Sequence, residues 1–191
     1  MCIRDRFKGE REEDEAKRFA GMVMDWTLFL DELGFEEPPK LKGALRVAYQ
    51  DACHLRHAQG VTEAPRRLLR SVSGVELVEP AEPDLCCGSA GSYNLDHPEV
   101  AQGLGRRKVK DLLATGADWI VSGNVGCLTQ VRASMKKEST VGPRVTHLAG
   151  FMGGLTRGVC QRGENKLNNR FGGVPSDDAF HFLHIFFHGG E

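Results

Sequence analysis

From Leu45 to Leu148 short apolar runs alternate with stretches of helical character, and that alternation leaves few folds open. Leu45 to Tyr49, Val75 to Val78, Asp118 to Ser122 and Arg144 to Leu148 read as four strands. Between them, Thr62 to Val72, Asp96 to Ala114 and Val125 to Lys137 have the length of helices. Thr62 is placed to cap the first of these and Gly74 to stop it, while Asp96-His97-Pro98-Glu99 sets a capping residue three positions before a glutamate. Strands separated by crossover helices run parallel, so the expected fold class is α/β, a parallel sheet with crossover helices.

The cysteines acquire meaning on that scheme. Of the six, Cys2 and Cys160 sit in unpatterned ends, and four lie within the organised region. Cys53 follows the first strand, Cys86 and Cys87 the second, and Cys127 the third. In an open parallel sheet the loops beyond the carboxyl ends of the strands converge on one rim, where sites are built. The segment Cys86-Cys87-Gly88-Ser89-Ala90-Gly91 is unusual in itself. Adjacent cysteines in a strand would face opposite ways, and both can turn to one centre only through a sharp bend, which Gly88 and Gly91 permit. The plain alternative, a pair of buried small hydrophobes, would not place four thiols on a common rim.

Thiolates select zinc, copper(I) and iron–sulfur clusters. Four-cysteine zinc sites generally use two short knuckles, which this chain lacks, whereas adjacent cysteines suit different irons of one cluster. The expected cofactor is therefore an iron–sulfur cluster held by Cys53, Cys86, Cys87 and Cys127. The helices after Asp96 and around Cys127 would turn their positive ends toward its negative charge.

Length and charge limit the other possibilities. A chain of 191 residues with 40% hydrophobic residues buries one full core without requiring a second. Lys plus Arg is 25 against 26 Asp plus Glu, so no basic face announces nucleic acid. No apolar run approaches the roughly 20 residues of a transmembrane helix, and Met1-Cys2-Ile3-Arg4-Asp5-Arg6 is too polar for a secretory signal. The expected location is cytoplasmic, at most peripheral at the inner face of the membrane. Thiols there stay reduced and serve as ligands or catalysts.

Residues 1–13 read as a disordered or non-native leader. From Asp14, the spacing of Phe19, Met22, Val23, Trp26, Phe29, Leu30 and Leu33 predicts one amphipathic helix ended by Gly34. Glu36-Glu37-Pro38-Pro39 breaks the chain, giving a helix and linker over 14–42 and a main domain over 43–150. Residues 151–191 read as an irregular tail of the kind a shifted reading frame would give. Its histidines His181, His184 and His188 invite a metal reading, which the lack of a helical polar face opposes.

Three segments together resemble a known family: Asp51-Ala52-Cys53-His54-Leu55-Arg56-His57, the run from Cys86 through Asn94, and Gly123-Asn124-Val125-Gly126-Cys127. They look like the cysteine-rich, Rossmann-like CCG domain shared by heterodisulfide reductase and the iron–sulfur subunits of glycolate and lactate oxidases. The family pattern is a cysteine, then Cys-Cys-Gly, then Cys-x-x-Cys. The chain departs from it at Asn124, which occupies the first place of the terminal pair.

The resemblance, strongest to the carboxyl-terminal part of a glycolate oxidase iron–sulfur subunit, covers roughly residues 14–150. It implies an electron-transfer component rather than the substrate-oxidising subunit. Its implied partners are a flavin-containing oxidase subunit and the other iron–sulfur domains of the full-length subunit, with electrons passing toward the respiratory chain. Four thiols suit a 4Fe-4S cubane, while heterodisulfide reductase uses five for a noncubane cluster, so the cluster type stays open. His54 is a candidate donor to a cluster sulfur, Arg56 a candidate counter-charge, and Gly88, Gly91 and Asn124 further candidates at the cofactor. A solvated loop or a turn would equally account for His54, Arg56 and Asn124, and Tyr93 and Asn94 stand alike.

Other classes stay in view. Cys86 or Cys87 could be the thiolate of a thiol–disulfide redox domain, and the sheet could be a non-catalytic docking module. A nucleotide-binding reading is weak, because Gly103-Leu104-Gly105 falls inside a helix rather than after the first strand.

Overall fold

Alternation along the first strand decides how the sheet is covered. The computed structural model describes residues 6–34, 40–138 and 142–156. Cys2, Cys160, the break at Glu36-Glu37-Pro38-Pro39 and the histidines of the tail lie outside them. The strands are β1 (Lys40–Gln50), β2 (Ser73–Val78), β3 (Trp119–Ser122) and β4 (Arg144–His147). They form one all-parallel sheet in the order β2-β1-β3-β4. In β1, Leu45, Val47 and Tyr49 face one side while Ala48 faces the other, the two-residue period of a strand.

The first side is covered by α3 (Glu63–Ser71) and α7 (Leu148–Thr156), through Leu69, Leu148, Phe151, Met152 and Leu155. The second is covered by α5 (Pro98–Ala114) and α6 (Val125–Lys137), through Val109, Leu112, Val131 and Met135. Gln50 pairs with Ser122 and Ser122 with His147, so three strands end level. The connection from β2 to β3 steps back over β1, making β1 and β3 the switch point of the sheet. Among the described residues no helix is long and apolar enough to cross a membrane.

The structure departs from the sequence reading at several points, beginning with β1, which starts at Lys40 rather than Leu45. The single amphipathic helix is two, α1 (Glu13–Met22) and α2 (Trp26–Leu33). Asp25 between them is extended and accepts the Thr27 N–H at 2.9 Å, a side-chain cap that starts a new helix. Gly34 does end the second, at φ +73° with its N–H on the Leu30 carbonyl. Thr62 precedes α3 without a side-chain capping bond, and α3 ends at Ser71 with Val72 as its cap, so Gly74, expected to stop it, lies in β2 instead.

At α5 the capping box is absent. Pro98 is the first helical residue and has no N–H to satisfy, so Asp96 closes the short α4 (Tyr93–Asp96) and meets Ser92 Oγ at 3.4 Å. Finally, β4 stops at His147, and helical order continues through α7 past Gly150. Paired glycines cost about 1 kcal/mol each in a helix, and the burial of Phe151, Met152 and Leu155 offsets that.

Candidate functional site

The carboxyl ends of β1, β2 and β3 carry the four thiols, and each is delivered by its own local device. Cys53 opens a π-helical turn, His54–Ala58, whose Leu55 is buried against Gly123 of the next loop. Cys127 is the third residue of α6, in the turn where unpaired N–H groups accumulate. Asn124 caps that helix, its Oδ1 accepting the Cys127 N–H at 2.9 Å. Cys86 and Cys87 end a long excursion from β2, which turns through left-handed backbone at Gly88 (φ +88°), Ala90 (φ +34°) and Gly91 (φ +63°).

That excursion is pinned at every stage. Arg66 holds Glu79 with two bonds of 2.9 Å, and Asp111 accepts the N–H groups of Ala81 and Glu82. Lys108, fully buried, donates to the Glu82 carbonyl at 2.6 Å, and Arg107 grips the Glu82 carboxylate. Burial pushes the Lys108 ammonium below its ordinary pKa. Arg56 ties Asp84 down and reaches Asp51 at 3.5 Å. The same Asp51, two residues before Cys53, is gripped by both terminal nitrogens of Arg66 at 3.0 and 2.6 Å, so one buried guanidinium couples two thiol-bearing loops.

The loops then meet. Gly88 lies so close to α5 that a side chain there would stand 2.5 Å from the Ala101 carbonyl, and Ser89 packs on Gly126 of α6. Cys87 and Cys127 are buried in the same core cluster, whereas Cys53 and Cys86 are half-buried. The four thiols lie near enough to act on one another, Cys86 with Cys53 and Cys87, and Cys127 with all three others. Among the described residues, no three His, Cys, Asp or Glu side chains converge as they would on a single metal ion.

The electrostatics favour negative charge on one sulfur, that of Cys87. Gly88 N–H donates to Cys86 Sγ at 3.3 Å, and the N–H groups of Ser89 and Cys87 point at the Cys87 sulfur. The S–H of Cys127, aided by those backbone donors and opposed by burial, holds the Cys87 thiol below its ordinary pKa. Cys127, which gives that hydrogen bond and is buried, is pushed up, and burial raises Cys86.

The structure thus brings together all four predicted cysteines, with Gly88 in their loop. Gly91 turns the same loop in open space. His54 is exposed, and Arg56 is committed to carboxylates. Three residues went unread in the sequence. His147 sits level with the strand ends, accepts the Ala149 N–H on Nδ1 at 3.2 Å and bonds the backbone of Gly123. Tyr49 bonds Gly123 as well, and Gln50 keeps a buried side-chain oxygen without a hydrogen-bond partner in the structure. Gln50 and Tyr49 were visible only as strand residues. A histidine closing an apolar strand was the one available signal.

The arrangement has relatives. Residues 47–132 match the family model described as a cysteine-rich domain, CCG. The chain is 36% identical over 141 residues to the "Probable glycolate oxidase iron-sulfur subunit" of Bacillus subtilis, covering 73% of this chain and 32% of that protein. It is 34% identical over 135 residues to "Lactate utilization protein A" of Oceanobacillus iheyensis, covering 69% and 54%. Against a fumarate reductase (CoM/CoB) subunit of Methanothermobacter marburgensis it is 36% identical over 94 residues, covering 49% and 19%. The chain therefore spans from about a fifth to just over half the length of these relatives. With the thiol pair on the loop after β2 and single thiols after β1 and β3, residues 47–132 form a cysteine-rich domain of the CCG family.

Proposed function

We propose that this chain is part of an iron–sulfur electron-transfer subunit of a 2-hydroxy-acid oxidase, of the type that oxidises glycolate or lactate. Cys53, Cys86, Cys87 and Cys127 hold the cluster. The observation that carries the reading is that thiols from three strand ends meet on one rim, with backbone N–H groups aimed at two of the sulfurs. Four thiols brought to one rim from three separate loops suit a polynuclear group whose irons each take a separate thiolate. One thiolate per iron makes the group a 4Fe-4S cubane. Relatives named as iron–sulfur and lactate-utilisation proteins support the same reading.

When bound, such a cluster supplies one-electron transfer. The chain's own residues bind it, hold its charge and keep water from it. Gly88 and Ser89 donate N–H groups to sulfur, and the first turn of α6 turns its positive end toward Cys127. Ala52, Leu55 and Val61 share the buried apolar cluster that holds Cys87 and Cys127. The partners are a flavin-containing oxidase subunit, which delivers the electrons, and further iron–sulfur domains of the longer subunit, which pass them toward the respiratory chain. Leu95 and Val125 beside the thiol loops, exposed at 76% and 63%, offer apolar area for such contacts. The assembly is cytoplasmic or peripheral at the inner membrane face.

Anaerobic reconstitution of the chain with ferrous iron and sulfide tests the reading. The expected result is about four irons and four sulfides per chain with broad visible absorption, lost in Cys87→Ser. Iron uptake no greater than in a variant with all four cysteines replaced by serine would overturn it.

A further inference from the structure

A glycine in a helix interior is unfavourable relative to alanine, so the two in Gly103-Leu104-Gly105 of α5 each need a reason. Gly103 offers none, since a Cβ there would meet nothing within 4 Å. At Gly105 a Cβ would stand 2.4 Å from Ser134 Oγ and 3.4 Å from both Ser134 Cβ and Gln130 Nε2, all on α6. Residues four apart share a helix face. Ala101 and Gly105 make one such row on α5, Gly126, Gln130 and Ser134 make another on α6, and the two rows pack together. One turn from Gly105, Gln130 Nε2 donates to the Ala101 carbonyl at 3.3 Å. The thiol loop enters at the same level. A Cβ at Gly88 would stand 2.5 Å from that Ala101 oxygen, and one at Gly126 would stand 3.1 Å from Ser89 Oγ.

We propose that Gly105, with Ser134 and Gln130 facing it, is a positioning residue of the thiol rim: by leaving no side chain between α5 and α6, it sets the spacing at which their opening turns seat Cys87-Gly88-Ser89. The contacts run from Gly105 to Gln130, from Gln130 to the Ala101 carbonyl, and from that carbonyl to Gly88. On the other side of the loop Ser89 rests on Gly126, the residue before Cys127. Were the helices farther apart, the loop would have to leave one seat to keep the other. Cys87 and Cys127, exposed at 2% and 5%, would then open to solvent. Cys53 stands outside both rows, at the π-helical turn after β1. This deepens the cluster reading, and rests on it for the use to which the thiols are put.

The test labels the full, metal-free chain with iodoacetamide under nitrogen and without denaturant. Mass spectrometry then follows the tryptic peptides 47–56, 71–106 and 111–132, which carry Cys53, the pair Cys86 and Cys87, and Cys127. Buried thiols react only as the structure opens, locally or as a whole. Gly105→Ala should speed labelling of 71–106 and 111–132 by about fivefold or more, the lower end of what overpacking costs, with 47–56 rising least. Gly103→Ala gains the same helix propensity without the contact and should not speed them. Adding Ser134→Ala to Gly105→Ala removes the 2.4 Å contact, leaves those at 3.4 Å and should restore the slow rate. Leu155→Ala, in the core on the other face of the sheet, should lower the urea midpoint as much or more yet speed these two peptides less. Should circular dichroism show Gly105→Ala unfolded, Gln130→Ala, which removes the bond to Ala101, carries the same expectation. Unchanged labelling of 71–106 in Gly105→Ala, a fast rate that persists in the double variant, or an equal rise in Leu155→Ala would overturn the proposal. No iron takes part, so a selective rise would stand even if reconstitution failed, and its absence would leave the cluster reading to its own experiment.

Discussion

Replacing Gly88 and Gly91 with alanine, one at a time, separates two reasons for a glycine in one loop. Both residues have left-handed backbone, at φ +88° and +63°, and at such angles a Cβ costs about 1–2 kcal/mol. They differ in surroundings. A Cβ at Gly91 meets nothing within 4 Å, whereas one at Gly88 stands 2.5 Å from the Ala101 carbonyl oxygen and 3.2 Å from its carbonyl carbon. That neighbour is helix backbone, so the loop or α5 must move, and overpacking of this kind costs about 1–3 kcal/mol.

Gly91→Ala should therefore lose about 1–2 kcal/mol and Gly88→Ala about 2–5 kcal/mol, against a total stability of about 5–15 kcal/mol. The gap between the variants is about 1–3 kcal/mol, or about 5- to 150-fold in the unfolding equilibrium. With a urea dependence of about 2 kcal/mol per molar, the midpoint of Gly88→Ala should fall about 0.5–1.5 M below that of Gly91→Ala. Urea titration followed by tryptophan fluorescence and far-ultraviolet circular dichroism measures both. Midpoints within about 0.2 M of each other would show that the contact with Ala101 yields without cost, refuting the close-approach account.

Asn124→Ala removes the cap on the Cys127 N–H and should cost about 1 kcal/mol by urea titration, whereas Asn124→Ser should stay within a few tenths of the unsubstituted chain. Asp51→Ala leaves the buried Arg66 with Glu79 as its one carboxylate, and about 3 kcal/mol or more should be lost in the same measurement, because an under-compensated charge remains inside. Burial holds His147 below the ordinary 6.5 in the folded chain. Since the unfolded state takes up that proton first, stability should be full above about pH 6.5 and fall as pH drops from there toward the folded value. His147→Gln should flatten the slope between about pH 5 and 7 in urea midpoints, and an unchanged slope would remove the histidine from the account.

Much of this was already legible in the chain. The α/β class follows from four apolar runs separated by helical stretches, because which side chains are buried is written into each element's own period. The helix over Val125–Lys137 and the end of α5 at Ala114 fall where the pattern puts them, and each cysteine falls in the segment that follows its strand, Cys53 at once and the pair Cys86 and Cys87 after a long excursion. Local exceptions stayed hidden where a single side chain overrode the pattern. Asp25 cuts one amphipathic run into two helices, and Pro98 displaces the cap expected at Asp96. In α7, burial of Phe151 and Met152 carries a helix through glycines that look like an ending.

Local periodicity says that a residue lies on a strand or just beyond it, and nothing about which strands are neighbours. The order β2-β1-β3-β4 sets the loops of Cys53 and Cys127 side by side at the switch point but leaves the loop of Cys86 and Cys87 one strand away. What carries the paired thiols across is a set of charges distant in sequence, Arg66 on Glu79 and Asp51, Asp111 on Ala81 and Glu82, and Lys108 on the Glu82 carbonyl. Such bonds form only once the sheet and α5 exist, so the sequence by itself determined the kinds of element and the thiols they bear. Tertiary structure decided that those thiols meet, because the energy that joins them lies in contacts no local pattern encodes.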